Sequence, residues 1–384
     1  MIRNDLNNPL VVIGAGMAGL NFIREFRKLS NKEIVLIDQS EKKVYSKPQL
    51  SNFFKNNKKI NELVQLDLKD FCEQQNCFFI SSRVCNIDSR KKKLSLENKE
   101  EIIYEDLILA IGGNPVNPLA DLKNIYTYNS LEDLSKIIDN NLNRKKICIL
   151  GGGIVSVELA NDLIMSGFDL DITIISRSKF LLESRVPLEV SNILESSLIQ
   201  NNIKIHLDTD LKNVSQIKDQ VLIETNKITE LYDMVIVAYG IKVDSSICKE
   251  LFSEKGIVTD LYLKTNLDHI FAIGDCAQIK KLYMPFVAPM LSQSKSLAMT
   301  ISGNSTKVAL IPNPLNVKTP VCPILIFGPY DDSFYWEKKS DDSWIAKNGE
   351  GEFVGACLIK EAAKNQRIEI QEILGNFFQK KIGT

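Results

Sequence analysis

One stretch constrains this chain more than any other: Leu10-Val11-Val12-Ile13-Gly14-Ala15-Gly16-Met17-Ala18-Gly19-Leu20. An apolar run enters a G-x-G-x-x-G turn, and the residues after it have the periodicity of an amphipathic helix through about residue 29. Ile34-Val35-Leu36-Ile37 then reads as a second buried strand that ends on an acid, Asp38. Strand, glycine turn, helix, strand and acid together form the dinucleotide-binding βαβ pattern. Gly14 permits the tight turn, Gly16 lets the backbone approach a pyrophosphate, and Gly19 lets the helix lie close to the strand. The helix N-terminus offers N–H groups and a positive dipole end to phosphate. Ala15, Met17 and Ala18 complete the turn; Asp38 is placed to accept hydrogen bonds from a ribose, and Gln39 follows it.

The pattern occurs twice. Lys146-Ile147-Cys148-Ile149-Leu150 reads as a buried strand, Gly151-Gly152-Gly153 as a second glycine turn, and a helix follows to about residue 165. Asp171-Ile172-Thr173-Ile174-Ile175 is the next strand. Two such units imply two dinucleotides, or one dinucleotide and a degenerate copy. Ser156 stands where the third glycine belongs, and a residue this small still allows close helix packing.

The remaining chain frames these units. Residues 39–60 read as a polar loop, with Pro48 disfavouring a helix through Lys47. Residues 63–75 look helical, and 77–80 and 82–88 carry strands. A charged hairpin covers 91–101, and 104–113, which includes Ala110, is a strand that runs into the turn Gly112-Gly113. Later come a helix at 188–200, strands at 203–208, 220–225 and 233–240, and the strands near 256–260 and 270–277. A helix is expected from Pro289 to about residue 301, with Gly303 as its stop. From about residue 311 aromatic-rich strands begin a small α+β region.

Composition excludes several classes. A chain of 384 residues is long enough for two or three domains. Its net charge of −1 gives no overall field for nucleic acid or an anionic membrane. Neither His206 nor His269 has a metal-ligand neighbour at useful spacing, so no zinc site is expected. The first strand begins near residue 10, which leaves no room for a signal peptide, and no apolar run approaches the ~20 residues of a membrane span. The eight cysteines contain no C-x-x-C pair, which suits a reduced cytoplasmic setting.

Both glycine motifs, the glycine turn after 107–111, the Gly274-Asp275 pair and the short C-terminal region resemble the two-dinucleotide-binding-domain flavoproteins. Within that family, Tyr45-Ser46-Lys47-Pro48-Gln49-Leu50-Ser51, Gly274-Asp275-Cys276-Ala277 and Val317-Lys318-Thr319-Pro320-Val321-Cys322-Pro323 resemble bacterial rubredoxin–NAD⁺ reductases. The resemblance spans essentially the whole chain. It implies an α/β fold of two Rossmann-like domains, for FAD and NAD(P)H, plus a small α+β C-terminal domain. The FAD domain would comprise 1–115 and 246–310, the NAD(P)H domain 116–245, and the domain roofing the flavin 311–384. Residues 15–18 would lie along the FAD pyrophosphate, Asp38 on the ribose, Val84 by the adenine, Asp275 on the ribityl phosphate and Val287 at the ring edge. Lys47, Glu158 and Lys318 would surround the isoalloxazine. Gln39 and Ala110 join the FAD set; Gly151, Gly153, Ser156, Ser176 and Arg177 form the nicotinamide set.

Hydride transfer needs the two rings held in near-attack geometry, and no side chain need be a nucleophile. The helix near Pro289 and Lys318 would offset negative charge on the reduced flavin, while Lys47 and Glu158 would shield the ring edge. At the end of the second unit's second strand, Ser176 replaces the usual acid and Arg177 follows, which suits a 2′-phosphate. The resemblance points instead to NADH, the reading taken, with NADPH as the alternative. Disulfide reductases of this fold carry a C-x4-C pair soon after the first acid; Cys72 and Cys77 have that count but lie later and read as packed thiols. Without a dithiol at the flavin, the reduced flavin would pass electrons outward itself, which suits a one-electron acceptor; the resemblance implies that this is rubredoxin or a similar small iron protein. Acidic surface on that partner would meet Lys47, Lys318 and the C-terminal lysines. The rival readings are a reductase for a flavorubredoxin, ferredoxin or oxygenase system, an NAD(P)H oxidase or peroxidase, and a non-enzymatic redox-sensing flavoprotein.

Overall fold

The computed structural model describes residues 8–39, 43–140, 142, 145–253, 255–310, 312–329 and 333–382, with side chains at the C-terminal end described through residue 377. The chain divides into two compact units. One comprises Met1–Ser46, Val64–Asn114 and Lys242–Leu310; the other comprises Lys47–Leu63, Pro115–Ile241 and Ile311–Thr384.

The first unit holds a five-stranded parallel sheet in the order Ile270–Ala272, Asp106–Leu109, Leu10–Ile13, Ile34–Asp38, Phe78–Ser81. The glycine-motif strand is central, so both its faces are covered and all four residues are buried. That explains the unbroken apolar run, since a strand buried on two faces has no polar side to alternate. Ile13 lies beside Ile37 and Leu109, which brings the glycine turn and the Asp38 end to one edge of the sheet. Helices Met17–Arg27 and Val287–Ile301 belong to this unit. They pack closely, because Ser294 Oγ donates to the Ala18 carbonyl at 3.2 Å.

The second unit repeats the design. Its sheet runs Ile125–Thr127, Met234–Val237, Lys145–Leu150, Leu170–Ile175, Ile203–His206, again all parallel with the glycine-motif strand central. The same unit contains a five-stranded antiparallel sheet, Leu315–Val317, Ile324–Phe327, Phe353–Ile359, Ser343–Asn348 and Phe334–Ser340 in spatial order. Helices Lys360–Asn365 and Arg367–Ile382 follow it, with Leu325, Phe327, Leu358 and Leu374 in a shared core.

Three local expectations are corrected. The continuous helix expected over 63–75 is broken into helix Ile60–Leu63, strand Val64–Asp67 and helix Leu68–Gln74. The strand exists because Val64, Leu66 and Asp67 pair antiparallel with Tyr45, Val44 and Lys43, a long-range contact that overrides local helix periodicity. Lys47–Asn52 is a 3-10 helix rather than loop, with Pro48 in its first turn, where a missing N–H leaves nothing unpaired. The helix expected from Pro289 begins earlier, at Val287 with Phe286 as its N-cap, so Val287 is its first residue rather than the residue before it.

Candidate functional site

The first glycine turn is sterically locked. Gly14 has φ of +107°, and a Cβ on it would lie 2.3 Å from the Ala110 carbonyl oxygen. Glycine is therefore required on two counts, conformation and space. Ala110 is buried, its N–H donates to the Ile13 carbonyl at 2.8 Å, and it directly follows the neighbouring strand Asp106–Leu109. A Cβ on Gly19 would lie 2.1 Å from the Gly14 carbonyl oxygen, so the helix sits as close as the motif demands. Gly16 differs: a Cβ there meets no heavy atom within 4 Å. It is the N-cap of the Met17–Arg27 helix and has no side-chain cap. This open, uncapped helix start beside a tight turn fits a pyrophosphate, whose oxygens would take the N–H groups.

Asp38 is buried and accepts the Ala15 N–H at 2.8 Å through Oδ2. Gln39, just beyond it, is exposed. Val84, buried, starts a strand paired with the 93–96 strand, and Ser82 N–H donates to the Asp38 carbonyl at 2.9 Å. The adenine-side candidates Asp38 and Val84 thus come from adjoining backbone segments of one unit.

Asp275 lies in the 3-10 turn Gly274–Cys276. Gly274 has φ of +78°, and a Cβ on it would lie 2.6 Å from the Ala18 Cβ. Its N–H donates to the buried Gln293 Oε1 at 2.7 Å. The Asp275 carbonyl accepts the Tyr283 hydroxyl at 2.9 Å, and burial, with Asp275 and Cys276 nearby, pushes that phenol up to about 12. Gly274-Asp275 is therefore fixed against the first glycine helix by Gln293, which sequence reasoning missed; a glutamine in an apolar helix was its only signal. The adjacent Cys276 is fully buried, donates towards the Ile273 and Leu109 carbonyls, and burial pushes its pKa up to about 12, which marks a packing thiol.

The second glycine turn repeats the lock. Gly151 has φ of +130° with its Cβ position 2.6 Å from the Ala238 carbonyl oxygen, and Gly153 caps its helix with nothing within 4 Å of a Cβ. Ser156 is fully buried, and its Oγ has no hydrogen-bond partner among the described residues. Ser176 is buried too. Its Oγ accepts the Ser178 N–H at 3.1 Å and would stand 2.7 Å from a Cβ on Gly152, so it faces inward. Arg177 is exposed.

Lys47, Glu158 and Lys318 all belong to the second unit. Buried Glu158 accepts the Lys318 N–H at 2.8 Å through Oε1, and Lys318 Nζ donates to the Pro48 carbonyl. Burial lowers the Lys318 pKa, with Glu158 and Asp162 pulling it back up. One turn along the same helix, buried Asp162 accepts the N–H groups of Phe54 and Lys55, each at 2.9 Å. The Tyr128 hydroxyl donates to the Leu50 carbonyl at 2.6 Å. Segment 47–55 is thus held by the 154–164 helix, Tyr128 and Lys318 together. Asp162 and Tyr128 were not singled out from sequence; the i,i+4 spacing of Glu158 and Asp162 was the available sign. The C-terminal lysines Lys380 and Lys381 lie outside the described side chains.

Residues 8–295 match the family described as pyridine nucleotide-disulphide oxidoreductase. The chain belongs to that family. This pyridine nucleotide-disulphide oxidoreductase is 31% identical to the Rubredoxin-NAD(+) reductase of Acinetobacter baylyi, over 96% of this chain and 98% of that protein. It is 30% identical to the Nitric oxide reductase FlRd-NAD(+) reductase of Aliivibrio fischeri, over 93% and 96%. Its fold is also that of the reductase in a covalent putidaredoxin reductase–putidaredoxin complex, with TM-score 0.84 and 20% identity over 96% and 94% of the two chains. Both doubled glycine turns accord with the family. Among the described residues, no helix is long and apolar enough to cross a membrane, and no cluster of three or more His, Cys, Asp or Glu side chains could hold a metal ion.

Proposed function

We propose that this oxidoreductase takes hydride from NADH onto FAD and passes electrons singly to rubredoxin in the cytoplasm. The observation that carries the reading is the doubled lock. Gly14 against Ala110 and Gly151 against Ala238 each precede an open helix N-terminus, at Gly16 and Gly153. One turn serves FAD and the other the nicotinamide nucleotide. The names of the Acinetobacter and Aliivibrio relatives support the acceptor class.

The chain's own groups divide the work. Gly14, Ala15, Gly16, Met17, Ala18 and Gly19 present the helix start to the FAD pyrophosphate. Asp38 orients the ribose and braces Ala15; Gln39 and Val84 flank the adenosine. Asp275 takes the ribityl phosphate region. FAD, when bound, supplies two-electron uptake and one-electron release. The Val287–Ile301 helix has no side-chain cap at Phe286, so its positive end is available to offset negative charge. Glu158 holds the Lys318 main chain, and Lys318 Nζ in turn holds the Pro48 carbonyl next to Lys47. Gly151, Gly153, Ser156, Ser176 and Arg177 receive the nicotinamide nucleotide. A second reading, electron delivery to a flavorubredoxin, is favoured by the name of the Aliivibrio relative.

Stopped-flow reduction of the holoenzyme by NADH, followed by mixing with oxidised rubredoxin or with a flavorubredoxin, tests the proposal. Fast flavin bleaching and fast reduction of one acceptor support it; a bleached flavin that leaves both acceptors oxidised overturns the acceptor assignment.

A further inference from the structure

Outside the nucleotide sites, two thiols meet at a helix end. Helix Leu68–Gln74 closes with Asn76 at φ of +48°, and two hydrogen bonds wrap its last turn. Cys77 N–H donates to the Cys72 carbonyl at 2.9 Å, and Asn76 N–H donates to the Glu73 carbonyl at 3.2 Å. This pair of bonds is the Schellman closure, in which the first and sixth residues of the turn commonly bring apolar side chains together. Here those two residues are Cys72 and Cys77. A disulfide needs Cα atoms about 4.4–6.8 Å apart with converging Cβ vectors. A closure that holds the two residues by a direct backbone bond and turns their side chains to the same side places them for that bond.

The surroundings set the two thiols apart. Arg27 reaches into the same turn, donating from Nε to the Gln75 carbonyl at 2.7 Å and from Nη2 to the Asn76 carbonyl at 2.9 Å. Its Nη1 donates to the Ser30 and Lys32 carbonyls. Those four acceptors are neutral, so the guanidinium charge is not cancelled by them. The neighbouring Cys77 thiol draws the Cys72 pKa down against burial, while Cys72 and burial push the Cys77 thiol up, with the Arg27 charge opposing them. The thiolate is the nucleophile, so Cys72 is the sulfur that reacts first. Cys72 is buried and Cys77 half-buried.

We propose that Cys72 and Cys77 are a reversible oxidation site that closes to a disulfide with hydrogen peroxide. The Cys72 thiolate attacks a peroxide oxygen, the O–O bond breaks, and hydroxide leaves with a proton as water. Cys77 then attacks the sulfenic sulfur, the S–O bond breaks, and a second water leaves. Two thiols are oxidised, one peroxide is reduced, and an external thiol reverses the step. The assignment is independent of the nucleotide and acceptor readings.

The holoenzyme is treated with hydrogen peroxide, quenched with an alkylating agent, digested with trypsin and weighed by mass spectrometry. No lysine or arginine lies between Lys69 and Arg83, so both sulfurs fall on one peptide, and exposed Cys85 falls on the next as a control. The expected product is the 70–83 peptide unalkylated, lighter by two hydrogens and restored by dithiothreitol. Cys77→Ser is expected to leave a Cys72 sulfenic acid that dimedone traps, and Cys72→Ser to leave Cys77 unreacted. A 70–83 peptide still doubly alkylated at a peroxide dose that oxidises Cys85 overturns the proposal. So does conversion of Cys72 to sulfinic acid while Cys77 stays reduced.

Discussion

The Ala15 N–H donates to Asp38 Oδ2 at 2.8 Å, tying the first glycine turn to the acid that ends the next strand. The acid therefore braces the turn, in addition to the ribose role proposed for it. Asp38→Ala leaves a buried N–H without a partner, a loss of about 1–3 kcal/mol. Asp38→Asn keeps an acceptor oxygen but not the charge. Calorimetry and flavin content should separate the two: the asparagine variant recovers most of the melting temperature but less of the FAD affinity. Wild-type stability and flavin content in the alanine variant would contradict the brace.

Gly14 and Gly16 make opposite predictions. A Cβ on Gly14 strikes the Ala110 carbonyl oxygen at 2.3 Å in a left-handed conformation, so Gly14→Ala should destabilise the apoprotein by about 1–3 kcal/mol or more and abolish FAD retention. A Cβ on Gly16 meets no protein atom within 4 Å. Gly16→Ala should leave the apoprotein's melting temperature nearly unchanged while weakening FAD binding. Equal apoprotein losses in both variants would show that the space over Gly16 is not reserved for a ligand.

Glu158 accepts from the Lys318 main chain, so its effect on stability depends on an acceptor oxygen more than on charge. Glu158→Gln should hold the folded state within about 1 kcal/mol, whereas Glu158→Ala should cost about 1–3 kcal/mol by leaving that N–H unpaired. Flavin reduction by NADH should slow in both. If the glutamine variant unfolds as readily as the alanine one, the carboxylate's charge matters more than this bond.

Lys318 supplies a pH test. Burial holds its folded pKa below the ordinary 10.5. Below the folded value both states carry the proton, and the burial penalty is present in full. Between the folded value and 10.5 the unfolded chain binds more protons, so stability rises with pH. Lys318→Met does not titrate at this position. The stability of wild type relative to Lys318→Met, by denaturant titration, should therefore climb as pH is raised through the folded pKa towards the ordinary 10.5; a flat or falling difference contradicts the burial assignment.

Arg177 is exposed, whereas Ser176 turns inward to Ser178. Of the two, Arg177 is the one whose exposure would let it reach a 2′-phosphate. Arg177→Gln should lower kcat/KM for NADPH by roughly tenfold, the loss of about 1.4 kcal/mol, and leave NADH nearly unchanged. Parallel losses with both nucleotides would remove Arg177 from the specificity set.

Much of this architecture was readable in advance because it is local. Each glycine turn is a short run whose neighbours, strand and helix, follow within about 25 residues. What escaped was set by distant pairing. Val64–Asp67 is a strand because residues 43–45 lie beside it, and no periodicity within 63–75 announces that. Pro48 reads as a helix breaker until its first-turn position is known. Glu158, Lys318 and Pro48 are far apart in sequence, and only the folded chain shows one carboxylate and one lysine holding a single segment. Cys72 and Cys77 were recognised as packed thiols, but not as the closing pair of a helix cap, which depends on the conformation of Asn76.

The most direct measurement is an anaerobic titration of the holoenzyme with NADH, read by flavin absorbance, followed by oxidised rubredoxin. The account predicts full bleaching by one NADH per flavin and then fast reduction of two rubredoxins per hydride. A purified protein that carries no flavin and cannot be reconstituted with FAD would contradict it at Gly14, the first glycine of the first nucleotide turn.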